Sequence, residues 1–218
     1  MNPISITDSR YNKLTERQIV QKVISGEKGL YEILLRRNNQ KLYRVLRGYL
    51  RDQKDIEDAM QETYLAAYEK LSQYRLDSAF STWLIRIGIN KALYRLKKNK
   101  QVHLLIGKDE SEIAISDENH TPENRLIQME AKQMLEAAIE QLDQKYRSAY
   151  IMKEVEGMSI AEISDCLDLS ISNVKVRIHR AKAMIKESLY DQSQTSSLFE
   201  FGFSKCDDLV EKVMSEIH

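Results

Sequence analysis

An all-α protein is predicted, built as two small helical domains joined by a flexible linker, and three observations predict it. The 218 residues include only two prolines and seven glycines, so turn-rich β architecture has little to work with. Apolar residues recur at steps of three and four along most of the chain. Helix starts are written out as capping boxes, Thr15-Glu16-Arg17-Gln18 and Ser159-Ile160-Ala161-Glu162.

Met1 to Leu14 is polar and reads as a frayed end. The box at Thr15 opens a short helix to about Ser25, and Gly26 and Gly29 bracket a turn. A longer helix is expected from about Gly29 to Tyr49, with Leu30, Ile33, Leu34, Leu42, Val45, Leu46 and Tyr49 as core. The next covers about Gln53 to Leu71 and buries Ile56, Met60, Thr63, Ala67 and Leu71. Asp55, Asp58 and Glu62 step three and four along a different face of it. Such a face is either simply solvated or a docking surface for a basic partner.

Leu71 to Ala79 reads as a loop, and Phe80 starts a helix to about Lys100. Ile85, Ile89, Ala92 and Leu96 line one side; Trp83, Arg86, Asn90, Tyr94 and Lys97 line another. From Ser78 to Gln101 there are six Lys/Arg and no Asp/Glu. Aromatic and amide groups among cations suit bases that have left a duplex, since every base has a π-face and a polar edge. A lone Trp on a helix is also commonly core, so Trp83 carries both readings.

Residues 101–121 break the periodicity and hold five acids (Asp109, Glu110, Glu112, Asp117, Glu118), as a linker would. Thr121-Pro122-Glu123 restarts a helix with a cap and a proline at the first position, and Leu135, Ala138, Ile139 and Leu142 give it a core face. Another helix spans about Asp143 to Val155 and ends near Gly157.

The stretch from Ser159 to Lys186 is the most informative. Ile160, Ile163 and Leu167 form the buried stripe of a short helix, Asp168-Leu169 is a tight turn, and Ser170 or Ser172 caps the second helix. In that second helix Val174, Ile178, Ala181 and Ile185 make an apolar stripe. Lys175, His179, Lys182 and Lys186 repeat those steps one residue on, with Arg177 and Arg180 nearby and no acid from Leu169 to Lys186. This is the pattern of a helix-turn-helix whose second helix enters a major groove. The four C-terminal helices form one domain. After it, residues 191–197 are polar, and Phe199, Phe201 and Phe203 precede a short amphipathic pattern ending at Ile217. That tail either folds back on the domain or docks a partner.

Net charge is zero, so the positive charge is segregated rather than overall. Cys166 and Cys206 have no metal or disulfide spacing, and no metal or cofactor is expected. His103, His120, His179 and His218 lie apart and no Gly-rich phosphate loop exists, which argues against an enzyme acting on nucleic acid and leaves no candidate catalytic residue. With no apolar run of membrane length and no signal peptide, a soluble cytoplasmic protein without membrane insertion is expected.

The run Asp55-Ile56-Glu57-Asp58-Ala59-Met60-Gln61-Glu62-Thr63-Tyr64, followed by Phe80-Ser81-Thr82-Trp83-Leu84, resembles region two of bacterial RNA polymerase sigma factors. Leu142 to Lys182, with Glu154 to Ser159 and Val174 to Ala181, resembles region four. The absence of a separate region three is similar to the small extracytoplasmic-function (ECF) class, and the likeness covers about Gly26 to Tyr190. The resemblance implies a transcription initiation factor that binds core RNA polymerase and promoter DNA, without chemistry of its own. Core polymerase would be met by Asp55, Asp58, Gln61 and Glu62. Unpaired bases of the minus-ten element would be captured by Ser81, Thr82, Trp83, Arg86, Asn90 and Lys91 with the loop before them. The minus-thirty-five element would be read by Ser172, Asn173, Lys175, Val176, Arg177, His179 and Arg180. The acidic linker would thread toward the RNA exit channel, and an anti-sigma factor is a further partner the family implies. On this reading the domains are 1–100, the linker 101–121, the helix-turn-helix domain 122–190 and the tail 191–218. Asp143 and Asp168 depart from the Pro and Gly usual there, and Asp tolerates the turn geometry. The competing reading is a dimeric operator-binding regulator that never touches polymerase, which would need neither the acidic face nor the acid-free segment after Phe80.

Overall fold

The computed structural model describes residues 13–75, 77–106 and 123–196, with side chains described to 98, from 129 to 191, and not between. The linker core, the Phe-rich tail, Cys206, His103, His120 and His218 lie outside the described residues or side chains. The described residues are helical, with no strand among them. The helices are α1 (Glu16–Ile24), α2 (Tyr31–Arg47), α3 (Gln53–Glu69), α4 (Phe80–Ile106), α5 (Glu123–Glu140), α6 (Gln144–Tyr150), α7 (Ile160–Leu167) and α8 (Ile171–Ser196).

Local chemistry sets their starts. Thr15 accepts from the Gln18 N–H, and the Gln18 side chain accepts in return from the Thr15 N–H, closing the box at α1. Ser159 and Glu162 do the same for α7. Asp52 caps α3 and Ser170, not Ser172, caps α8. Asp168 takes φ 53° at the end of α7, the left-handed turn that Asp admits and that brings α8 off at an angle.

Leu42 and Leu46 of α2, Ile56, Ala59 and Thr63 of α3, and Leu84, Ile85 and Ile89 of α4 are buried together. Burying each such aliphatic side chain contributes about 1.5–3 kcal/mol before entropy is counted. Gly88 permits the approach of α4 to α2, since a Cβ there would lie 2.8 Å from Leu42 Cδ1. On the other half, Ala138 and Leu142 meet Ala181 and Ile185 of α8. The two halves also share apolar packing: Ala149, Met152, Met158, Ile163, Cys166, Val174 and Ile178 belong to the same cluster as the α2–α4 core.

Two helices outrun their expected ends. α4 continues past Lys100 to Ile106, and α8 continues through the polar stretch from Asp191 to Ser196. Neither extension contains Pro or Gly, and loss of an apolar stripe alone does not stop a helix. The helix expected to Val155 changes pitch instead: α6 passes into a π-turn at Ile151–Val155, capped by Glu156 and followed by Gly157 at φ +65°.

Candidate nucleic-acid interface

Val174, Ile178, Ala181 and Ile185 of α8 are all buried, as their spacing requires. Ser172, Asn173, Lys175, Val176, His179 and Arg180 stand exposed on the outer face, and Arg177 is half-buried at its edge. Arg177 Nε donates to Asn173 Oδ1 at 2.9 Å, one turn back, which orients the guanidinium before any partner arrives. Arg180 donates to the Tyr146 hydroxyl at 3.4 Å, and Lys182 pairs with Glu154 at 2.8 Å. The basic stripe is thus partly engaged by the body of its own domain.

The second surface lies at the start of α4. Tyr74, Phe80 and Trp83 pack ring against ring, with centroids 5.2–5.9 Å apart. Tyr74 also donates to the Ser78 carbonyl, tying the preceding loop to the helix. Trp83 is half-buried, one part in that cluster and one part on a cleft of about 440 Å³ lined also by Gln73, Arg75, Ser78, Thr82 and Arg86. Part of the Trp83 ring is therefore core, and the rest is accessible from the cleft. Arg86 and Asn90 are exposed, Ser81 and Lys91 are half-buried, and Thr82 is buried. Lys91 faces away from the others and lies 3.6 Å from Glu62.

Asp55, Asp58 and Glu62 are not a bare solvated face. Arg95 reaches back from α4 and touches all three, at 3.4, 3.5 and 2.5 Å. Burial pushes the Glu62 carboxyl up, but the hydrogen bond and charge of Arg95, with Lys91, outweigh it and hold it below the usual value. Gln61 stays exposed beside them.

The halves meet on polar contacts as well as apolar ones. Thr82 donates to Glu162 at 3.1 Å, and the Cys166 thiol donates to the Thr82 carbonyl at 3.6 Å. Arg147, 3 % exposed, donates through Nε to the Gly48 carbonyl at 3.1 Å. Arg47 pairs with Glu140 at 2.8 Å and Arg44 with Glu156 at 3.2 Å. A Cβ at Gly48 would stand 3.1 Å from the Ser148 Cα, so the backbones are in direct contact there. Tyr49 is buried beneath Ser148, and desolvation pushes its hydroxyl up to about 12. A second cleft, about 380 Å³, brings Arg86 and Asn90 of α4 together with Lys145, Asp168 and Arg177. Residues expected on two separate DNA elements thus line one space.

Sequence reasoning missed Arg95, Arg147, Gly48 and Cys166. A buried arginine leaves no mark in an apolar pattern. Arg95 had one signal: it falls three residues after Ala92 and seven after Gly88, on the inner edge of α4. Cys166 lies three residues after Ile163 and belonged in that stripe.

The chain matches Sigma-70 region 2 over residues 34–102 and Sigma-70 region 4 over residues 132–185. It is 29% identical over 188 residues to an ECF RNA polymerase sigma-E factor of Haemophilus influenzae, covering 81% of this chain and 96% of that one. An ECF sigma-E factor of Escherichia coli K12 is 30% identical over 179 residues, 79% of this chain and 93% of the relative. Among solved structures, CnrH in complex with the cytosolic domain of CnrY is 25% identical with TM-score 0.56, over 80% of this chain and 97% of that one. The sigma factor RpoE in complex with the anti-sigma factor NepR from Bartonella quintana shares the fold at TM-score 0.63, 20% identity, 73% and 96% coverage. With regions two and four in order on two helical halves, the chain belongs to the ECF class of RNA polymerase sigma factors, which direct transcription initiation at specific promoters.

Proposed function

We propose that the exposed residues of α8 read the minus-thirty-five element while α4 and its preceding loop capture the minus-ten element. Exposed cationic and polar side chains on two different helices carry this reading: Arg86, Asn90, Tyr94 and Lys97 on α4, and Lys175, His179 and Arg180 on α8. Lys and Arg contacts to phosphate position the protein, and base-edge contacts specify the sequence. Asp55, Asp58, Gln61 and Glu62 dock on core polymerase. The protein performs no chemistry of its own and works in the cytoplasm; among the described residues no helix is long and apolar enough to cross a membrane. An anti-sigma protein is a further partner on this reading, since the related RpoE is found in complex with the anti-sigma factor NepR.

Packing of the two halves constrains this role. Elements named for positions thirty-five and ten lie about 25 base pairs apart, or about 85 Å along B-form DNA. A packed body of the described residues is about 40 Å across. It cannot hold both elements at once. The chain between Ile106 and Glu123 can extend to about 55 Å, so separating the halves supplies the missing span. Thr82, buried beneath α7, becomes available to a base by the same movement.

Run-off transcription with purified core polymerase, with and without this protein, on a promoter library tests the reading. Transcripts that start behind a new, shared pair of motifs are expected. Core polymerase that gains no specificity would overturn it.

A further inference from the structure

We propose that Arg95 is a positioning residue for polymerase docking, holding Asp55, Asp58 and Glu62 as one preset array on the face of α3. The proposal rests on the docking role assigned to that face above.

Arg95 belongs to the acid-free run of α4, yet its guanidinium turns away from the DNA-facing side and toward α3. One nitrogen, Nη1, lies 3.4 Å from Asp55 Oδ1 and 3.5 Å from Asp58 Oδ2. The other, Nη2, lies 2.5 Å from Glu62 Oε1. A single planar group therefore spans three carboxylates from successive turns of one helix. A lysine ammonium, a point charge without a fork, cannot reproduce that geometry.

The order of burial gives the direction of the effect. Arg95 is 18 % exposed, whereas the Asp55, Asp58 and Glu62 side chains are 34, 47 and 41 % exposed. The cation lies beneath and the acids lie above it. A cation that competed with a partner for these carboxylates would lie over them. Arg95 Nε is buried without a hydrogen-bond partner, so the carboxylates, not the full satisfaction of its own donors, decide where the guanidinium sits. Lys91, at the rim, reaches only Glu62.

Three acids stepping three and four along a helix repel one another. Left alone, they splay into solvent and must be ordered one by one when a basic surface arrives. Held from below, they lose little rotamer freedom on docking, which is how preorganisation raises affinity.

The test uses the full-length protein, with core polymerase affinity measured by fluorescence titration and melting temperature measured in parallel. Arg95→Gln removes charge and fork; Arg95→Lys keeps the charge alone. Arg95→Gln is expected to weaken core binding about tenfold, and to do so by less than about threefold in a Glu62→Gln background, the non-additivity of groups acting as one unit. Arg95→Lys is expected to melt like the parent and yet bind core nearly as weakly as Arg95→Gln. If Arg95→Lys binds like the parent, the array geometry is overturned; it also decides the matter should Arg95→Gln not fold. If both Arg95 variants bind within about twofold of the parent while Glu62→Lys does not, Arg95 merely joins two helices. If Asp58→Lys and Glu62→Lys leave binding intact, the docking role of the face itself fails.

Discussion

The hydroxyl of Thr82, at the start of α4, donates to Oε1 of Glu162, at the start of α7, 3.1 Å away and 80 residues along the chain. The same carboxylate accepts the Ser159 N–H through Oε2, so one side chain both caps α7 and fastens it to the other half. The Ser159 backbone and hydroxyl hold the Glu162 carboxyl below its usual value against burial, and Thr82 adds to this. A depressed carboxylate contributes stability above its unfolded pKa and loses it as pH falls through the folded one. The unfolded value is about 4.3. The denaturation midpoint should therefore fall between about pH 5 and pH 3, and fall less in Glu162→Gln, which keeps an acceptor for the cap. Equal slopes in the two proteins, followed by circular dichroism, would remove Glu162 from the acid limb.

Arg147 makes a different kind of joint. Its buried guanidinium donates to the Gly48 carbonyl of one half and the Glu140 carbonyl of the other. Burial works against the charge, while Glu140 supports it. Arg147→Met would fill most of the space but strand the buried Gly48 carbonyl and the half-buried Glu140 carbonyl. A loss of about 1–3 kcal/mol is expected from such orphaned groups, read as a shift in the urea midpoint. A variant as stable as the parent would mean that water takes over both bonds.

Cys166 reports whether the halves part. Burial pushes its thiol up to about 12, with Asp165 and Glu162 adding to the effect. The thiolate is the reactive form, so a thiol held that far above its usual value reacts slowly at pH 8. In a Cys206→Ser background, alkylation of Cys166 should be slow in the free protein. It should quicken at least about tenfold in the complex with core polymerase and promoter, where opening exposes and deprotonates the thiol. Gly48→Ala should quicken it without any partner, because the new methyl would meet Ser148 Cα at 3.1 Å. Unchanged reactivity in the promoter complex would show that initiation proceeds with α7 still against α4.

How much of this was legible is a matter of which forces act locally. The α8 stripe from Val174 to Ile185 was fully legible, because a 3.6-residue period and one buried side leave a single solution. The caps at Thr15 and Ser159 were legible for the same local reason. The acidic triad was visible as a face, but not its partner, since Arg95 is 33 residues beyond Glu62 and looks like any other cation of α4. The joint between the halves was not legible at all. Gly48, Arg147 and Thr82 follow no period, and although Cys166 falls in step with Ile163, what all four touch depends on how two domains dock. Thr82 shows the cost of that gap: a residue expected to meet DNA is among the most buried polar groups in the structure.

Arg177 offers the sharpest test of the upstream contact. It is half-buried and steered by Asn173, so its guanidinium is already oriented in the free protein. Lys175, by contrast, is exposed on the same helix with freedom to follow a phosphate. Arg177→Ala should cost about 1–3 kcal/mol at the preferred minus-thirty-five sequence and flatten discrimination at one base position, as loss of a bidentate contact to guanine does. Lys175→Ala should weaken all sequences alike and lower the salt slope by about one unit. Asn173→Ala, which frees the guanidinium without removing it, should fall between the two. Footprints of the holoenzyme on single-base promoter variants separate these patterns. Discrimination that survives Arg177→Ala unchanged would move base reading to the exposed residues Ser172, Val176 and His179 on the neighbouring turns.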